Sequence, residues 1–355
     1  MALRLDNVEC DLLRDDLSAS RQRLADGAVS REVSKIFLTG GTGFFGRWLL
    51  HGFLAWRRDV SRSVSLTVLS RTPAAFLEMN PWFKGIDGVD FIEGDVRTFD
   101  FKGLPLFEWV IHGATAASAQ LERERPDEMY SVIVDGTRHL LEFARQRDVR
   151  RLLFVSSGAV YGPQPADVSH LQEPFEGEPV TAYGKGKKLA ERLCLEDGRG
   201  RFECVVARPF AFVGPYLPLD AHFAVGNFIL DCLENRDIVI QGDGTPLRSY
   251  LYAADLAEWL WTILMRGQDG RAYNVGSDEA ISVRELAGLV RACAGTQNEI
   301  VVRGKKVVGA PPARYVPSVE RARSELGLAV RCGLSDAVSR TIAWHRRQRV
   351  KGACA

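Results

Sequence analysis

Lys35-Ile36-Phe37-Leu38-Thr39-Gly40-Gly41-Thr42-Gly43-Phe44-Phe45-Gly46-Arg47-Trp48-Leu49-Leu50 reads as an apolar strand, a glycine-rich turn and the start of a helix. Glycines at 40, 43 and 46 let the backbone turn tightly, come close to a pyrophosphate and pack helix against strand. The helix start offers free N–H groups and a favourable dipole to phosphate. Three glycines alone would be a weak signal. Their place between a strand and a helix makes them a dinucleotide-binding turn, with Gly40, Thr42, Gly43, Phe44, Phe45 and Gly46 as its residues.

The same alternation continues outward from this turn. Short runs rich in Val, Ile, Leu and Phe lie at Lys35–Thr39, Ser65–Leu69, Val89–Ile92, Trp109–His112, Arg151–Val155 and Glu203–Ala207. They show little polar alternation, as expected of parallel strands covered on both faces. Amphipathic stretches at Gly46–Arg57, Asp127–Arg147 and Thr181–Glu196 predict the covering helices. The fold class is α/β: a Rossmann-type doubly wound parallel sheet. After Arg208 the rhythm breaks. A Pro/Gly-punctuated loop at Phe210–Asp220 leads to a helix over Phe223–Glu234, a strand at Asp237–Ile240, and helices over Ala253–Met265, Ser282–Ala294 and Ser335–Gln348. We expect an N-terminal extension (1–32), a dinucleotide domain (33–207, with contributions from 236–276) and a smaller substrate lobe (208–235 and 277–349). Residues 5–27 predict a helix with Leu12, Leu13 and Leu17 on one face, packed on the main body.

Composition narrows the function. The 355 residues carry 46 Lys+Arg against 45 Asp+Glu, a net charge of +1, so the basic footprint of a general nucleic-acid binder is absent. Seven scattered cysteines, none in a C-x-x-C pair, predict neither a disulfide framework nor a zinc site. We expect no metal. No apolar run approaches the roughly 18 residues of a membrane span. The acidic opening MALRLDNVECDLLRDDL lacks the basic and apolar regions of a signal peptide, so a reduced cytoplasm is expected.

At the end of the second strand, NAD-binding folds place an acid against the ribose 2′-hydroxyl. Here the chain reads Leu69-Ser70-Arg71-Thr72. Arg71 suits a 2′-phosphate instead, which favours NADP(H) over NAD(H) within a general NAD(P) requirement. Asp95, in Gly94-Asp95-Val96, is placed to accept from an adenine amino group, and the small residues of His112-Gly113-Ala114-Thr115 let a cofactor lie close.

Beyond the fifth strand come Ser156-Ser157-Gly158-Ala159-Val160-Tyr161-Gly162 and Tyr183-Gly184-Lys185-Gly186-Lys187. Tyr183 and Lys187 share a helix face at a spacing of four. Tyrosine titrates at about pH 10, so a tyrosine base needs help. An ammonium and a cationic nicotinamide beside it favour the phenolate. Lys187 also reaches the nicotinamide ribose, and a serine hydroxyl orients the substrate alcohol or carbonyl, so a proton and a hydride can move together.

With these motifs the chain resembles the extended short-chain dehydrogenase/reductases, specifically the NAD(P)-dependent epimerase/dehydratase family of nucleotide-sugar enzymes, over roughly residues 33–347. The resemblance implies hydride transfer at a sugar carbon, commonly C4, of a nucleoside-diphosphate sugar. It places catalytic roles on Ser157, Tyr183 and Lys187. It implies cofactor contacts at Val96, Ala114 and Pro209 and substrate contacts at Ser157, Gly158, Phe210, Asn227 and Arg248, the last following Gly242-Asp243-Gly244. Tyr273-Asn274-Val275-Gly276 is a further family signature. Relatives commonly form homodimers through two paired helices, here Asp127–Arg147 and Thr181–Glu196.

Departures from the pattern restrict the reaction. Family dehydratases carry an acidic pair after the catalytic Ser/Thr, where this chain has Gly158 and Ala159. The glutamate that decarboxylases carry in this stretch is also missing. Ala211, Ile133 and Ser249 replace usual substrate-side residues. The expectation is a 4-epimerase, with an NADPH-dependent 4-keto-sugar reductase as the alternative. A non-catalytic dinucleotide sensor is disfavoured by the intact Ser157, Tyr183 and Lys187. His222, the basic turn Arg303-Gly304-Lys305-Lys306, and Trp259 with Trp261 are read as a loop–helix junction, a solvated turn and core respectively.

Overall fold

The computed structural model describes residues 11–26, 33–58, 64–115, 118–174, 177–221, 223–306 and 309–353. The six apolar runs are strands: β1 (Lys35–Thr39), β2 (Ser65–Ser70), β3 (Val89–Glu93), β4 (Trp109–His112), β5 (Arg151–Val155) and β6 (Glu203–Pro209). A seventh, β7 (Ala272–Val275), completes a sheet of order β7-β6-β5-β4-β1-β2-β3. Every neighbouring pair is parallel. The order reverses between β1 and β4, so the ligand crevice of this fold opens above the carboxyl ends of those two strands.

The helices are α1 (Asp11–Asp26), α2 (Phe44–Trp56), α3 (Pro73–Met79), α4 (Ala119–Glu124), α5 (Pro126–Gln146), α6 (Ala182–Gly198), α7 (Ala224–Leu233), α8 (Ala253–Arg266), α9 (Val283–Ala294), α10 (Glu320–Leu326) and α11 (Leu334–Ala353). Side chains alternate across a strand, so each sheet face has its own core. Ile36, Leu38, Val68 and Leu153 pack with Leu50, Phe53, Trp259 and Trp261 of α2 and α8. Phe37, Val110, Leu152 and Phe154 pack with Ile133, Phe143 and Ala190 of α5 and α6. Trp259 and Trp261 are core, as expected.

Strand β7 was legible only as a signature, because the four residues AYNV fall between two turns and carry no periodicity. Helices α3, α4 and α10, of six or seven residues, are likewise too short to show a 3.6-residue pattern. Two ends follow the sequence closely. Pro126 opens α5 at its first turn, and Ser282 with Glu285 forms a capping box on α9.

The rest of the chain builds a third cluster around α7, α9 and α11, with Val225, Ile229, Leu286, Val290, Val338 and Ile342 buried together. Strand 238–240 pairs with 300–302, and 247–248 lies between 281–282 and 314–315. Helix α1 joins the body as expected. Leu13, Leu17 and Leu24 are buried, while the Leu12 side chain lies outside the described ones. Asp16 accepts from the Tyr252 hydroxyl at 2.6 Å and from Arg340 at 3.1 Å, and Arg23 pairs with Glu258. Among the described residues no helix is long and apolar enough to cross a membrane. Nor does any group of three His, Cys, Asp or Glu there suit a metal. Cys194, Cys204, Cys232, Cys293 and Cys332 are free thiols; Cys10 and Cys354 lie outside the described residues.

Candidate active site

The glycine turn is built for close approach. Gly40 has φ +78°, and a Cβ there would lie 2.6 Å from the backbone of Gly113. A Cβ on Gly46 would strike Gly41 at 2.3 Å, so helix α2 meets the turn backbone to backbone. Gly43 differs: its Cβ would meet only Gly40 O at 3.6 Å, and no side chain caps the helix it begins. Open space over uncapped N–H groups at a helix start fits a dinucleotide pyrophosphate. Phe45 turns away and packs edge-on against Phe212, while Thr42 Oγ1 lies 3.4 Å from Ser70 Oγ.

The crevice wall at β4 is fixed by a one-way chain of hydrogen bonds. The Thr137 hydroxyl donates to Ile133 O at 2.6 Å, so it accepts from His112 Nε2 at 3.0 Å. His112 Nδ1 then accepts from the Thr39 hydroxyl at 2.9 Å, and Thr39 Oγ1 accepts the Ala114 N–H at 3.1 Å. Burial, aided by the Lys187 charge, pushes the His112 pKa down to about 3, so the ring is neutral and its tautomer set. His112 therefore anchors the Gly113–Ala114 backbone.

At the adenosine end, Arg71 is exposed, with no hydrogen bond or ion pair among the described residues. Asp95 is held by Arg97 through both carboxylate oxygens, each at 2.9 Å. That hydrogen bonding, helped by the Arg71 charge, lowers its pKa to about 2. Val96 is buried under Gly136.

The predicted Ser, Tyr and Lys converge. Ser157 follows β5 and caps a 3₁₀ turn, its Oγ accepting the Ala159 N–H at 3.1 Å. The Ser157 side chain lies close enough to the Tyr183 hydroxyl to lower its pKa. Lys187, 1% exposed, donates to Val155 O at 2.8 Å, with its Nζ 5.0 Å from the Phe154 ring centre and 5.9 Å from that of Tyr183. Burial lowers its pKa to about 7, against the pull of Cys194 and Glu191. The expected lowering of the Tyr183 pKa is not found in the protein alone. Burial raises it and the Ser157 side chain only partly offsets that.

Several partners escaped the sequence reading. Tyr315, from strand 314–315, also comes up to Ser157, packs on the Phe210 ring at 4.6 Å and has its own pKa raised by burial, which the Ser157 side chain partly offsets. A Cβ on Gly158 would lie 2.5 Å from the Tyr315 hydroxyl and 2.8 Å from the Phe210 ring. Arg248 is the cross-strand partner of Tyr315, which brings it to the same end of the site. Glu191, one turn beyond Lys187, holds Arg208 at 3.0 and 2.7 Å, and Arg208 covers the Tyr161 ring at 4.8 Å. Tyr161 donates to Asn274, which fixes β7 to the loop at Leu171. The recurring Tyr-x-x-x-Lys-x-x-x-Glu spacing could have flagged Glu191. Tyr315 sits far along the chain from Ser157, and nothing local marks it.

Other expected residues fall as follows. Pro209 ends β6 opposite Val275. Asn227, with its amide oriented to donate, ties the carbonyls of Ala221 and Leu219 at 2.7 and 2.9 Å. Ile133 is buried against Gly186 and Ser249 is 1% exposed. Arg303, Lys305 and Lys306 are exposed, as a solvated turn requires. His222 lies outside the described residues.

Comparison with known proteins agrees with this architecture. The chain is 26% identical over 344 residues to a mouse dTDP-D-glucose 4,6-dehydratase, covering 93% of this chain and 94% of that one. It is 28% identical over 312 residues to a Streptomyces lividans UDP-glucose 4-epimerase, covering 82% and 90%. A solved UDP-glucose 4-epimerase of Thermus thermophilus, in complex with NAD, superposes with a TM-score of 0.74 at 26% identity, covering 88% of this chain and 99% of that one. The profile of the NAD dependent epimerase/dehydratase family matches residues 36–276, more than half of the chain and every part of the crevice from β1 to β7, and the chain belongs to that family.

Proposed function

We propose that this protein is a nucleotide-sugar 4-epimerase, acting on a nucleoside-diphosphate hexose through a transient keto sugar with no net redox change. The observation that carries this reading is the Ser157–Tyr183 hydroxyl pair beside a position 158 that has no room for an acid. Elimination of water needs a proton donor for the departing hydroxyl. Among the described residues three carboxylates near the site are engaged: Glu191 by Arg208, Glu173 by the Asn274 N–H, and Glu122 by two backbone N–H groups. That favours epimerisation over dehydration, although relatives of both kinds are similarly distant.

The bound nicotinamide would supply the hydride acceptor and donor. Tyr183 takes the proton from the sugar hydroxyl as the carbon-bound hydrogen leaves, and returns it when hydride is added to the opposite face. Ser157 holds the same oxygen. Lys187 keeps two N–H donors beyond the one on Val155 for the nicotinamide ribose. Arg248 and Phe210 face the sugar diphosphate end, and a reducing compartment fits the thiols that are free among the described residues.

Incubation with UDP- and dTDP-hexoses, following reduced-nicotinamide absorbance and products together, tests the reading. Product without net cofactor change is expected. Stoichiometric oxidation of added NADPH would make the protein a 4-keto-sugar reductase. Arg71 favours that second reading: an exposed guanidinium beside Asp95 suits a 2′-phosphate. Charge-assisted hydrogen bonds contribute about 1.5–3 kcal/mol, so Arg71→Ala should weaken NADPH roughly 10- to 100-fold and leave NADH nearly unchanged by calorimetric titration. Equal loss for both cofactors, or a wild-type preference for NADH, would remove the NADP(H) assignment.

A further inference from the structure

Helix α6 carries both Tyr183 and Lys187, and its first turn is held from outside. The opening N–H groups of a helix have no acceptor within it. Thr181 Oγ1 accepts the Gly184 N–H at 3.0 Å, and the Thr181 carbonyl starts the helical ladder with the Lys185 N–H. The N–H groups of Ala182 and Tyr183 remain. Both donate to one carboxylate, Glu122 of α4: Ala182 to Oε1 at 2.7 Å and Tyr183 to Oε2 at 3.0 Å. Among the described residues Glu122 makes no ion pair, so these two bonds define its orientation. A negative group at a helix start is favoured by the dipole, and a charged acceptor strengthens both bonds.

We propose that Glu122 is a positioning residue for Tyr183. By holding the amide of Tyr183 itself and of its neighbour, it fixes where α6 starts and how the tyrosine ring leaves the backbone toward Ser157. It also ties the β4–α4 wall of the crevice to the helix that bears the base, so the two sides of the site are set against each other by one side chain. The proposal rests on the acid–base reading of Tyr183. Misplacing a reacting group by about 1 Å can cost about 10²-fold, so a slack first turn would be felt in turnover before binding.

The test uses the full chain as wild type, Glu122→Ala, Glu122→Gln and Tyr183→Phe. Glu122→Ala should exchange the Ala182 and Tyr183 amides about tenfold faster and lower kcat by about 10- to 100-fold, with sugar KM and cofactor affinity held within about twofold. Glu122→Gln, whose amide oxygen still accepts, should recover most of both. A Glu122→Ala kcat within about threefold of wild type would overturn the proposal. So would a joint fall of kcat, cofactor affinity and melting temperature that Glu122→Gln does not repair. Unchanged turnover in Tyr183→Phe would overturn the acid–base reading instead, and the amide exchange would then decide the clamp by itself.

Discussion

Tyr183 and Lys187 show how one helix face can hold a half-buried phenol and a buried amine that serve the same chemistry, the amine at a cost to folding. Tyr183→Phe keeps the ring packed and removes only the hydroxyl next to Ser157. Turnover should fall roughly 10²–10⁴-fold, the usual contribution of general acid–base catalysis, with unchanged circular dichroism. Near-normal turnover would reject the assignment. Lys187 offers a stability test. Its pKa is about 7 when folded and about 10.4 when unfolded, so between those values the folded state binds fewer protons. The buried lysine therefore costs stability in full below about pH 7, and progressively less toward pH 10. Lys187→Met should melt higher than wild type at about pH 6, by a smaller margin at about pH 9, while losing activity. A lower melting point at the acidic pH would mean that Glu191 and the Val155 carbonyl compensate the charge. The glycine turn, Tyr183, Lys187 and Ser157 were legible because their spacing is local. Tyr315 was not, since its contact with Ser157 exists only once strand 314–315 is laid beside 247–248.

At the scale of elements, long segments announced themselves and short ones did not. Apolar runs without alternation gave β1 to β6 to within a residue or two, since both sheet faces are covered. Strand β7 and the short helices take their shape from what they touch: Asn274 is held by Tyr161 and Glu173, and α4 is tied to α6 by Glu122. Helix α1 is an intermediate case. Its leucines predicted a buried face, but its partner could not be foreseen. Leu13 is fully buried in the cluster of Trp48, Val213 and Tyr252. Leu13→Ala should cost about 2–5 kcal/mol, read by denaturant unfolding. A loss below about 0.5 kcal/mol, the range of an ordinary surface substitution, would show that α1 is only loosely docked.

For the whole molecule, the remaining question is how copies meet. Helices α5 and α6 pack side by side on one sheet face, and their outer surfaces stay exposed. Along α5 that surface presents Tyr130, Asp135, Arg138 and Glu142, and along α6 Lys185, half-exposed Leu189 and Arg192. Two-fold pairing would set this face against itself, so that acids of α5 can meet bases of α6 from the partner around a small apolar centre. An interface built this way depends on charge more than on buried apolar area. Exposed charges are screened beyond about 10 Å at 0.1 M salt and within about 3 Å at 1 M. We therefore expect a dimer by light scattering at micromolar concentration in low salt, shifting toward monomer as salt approaches about 1 M. Charge reversal at Lys185 (Lys185→Glu) should weaken it by removing a base that α5 acids of the partner can meet, and adding Arg192→Glu should weaken it further. A monomer at all salt concentrations, or a dimer indifferent to both salt and Lys185→Glu, would place the contact elsewhere or remove it.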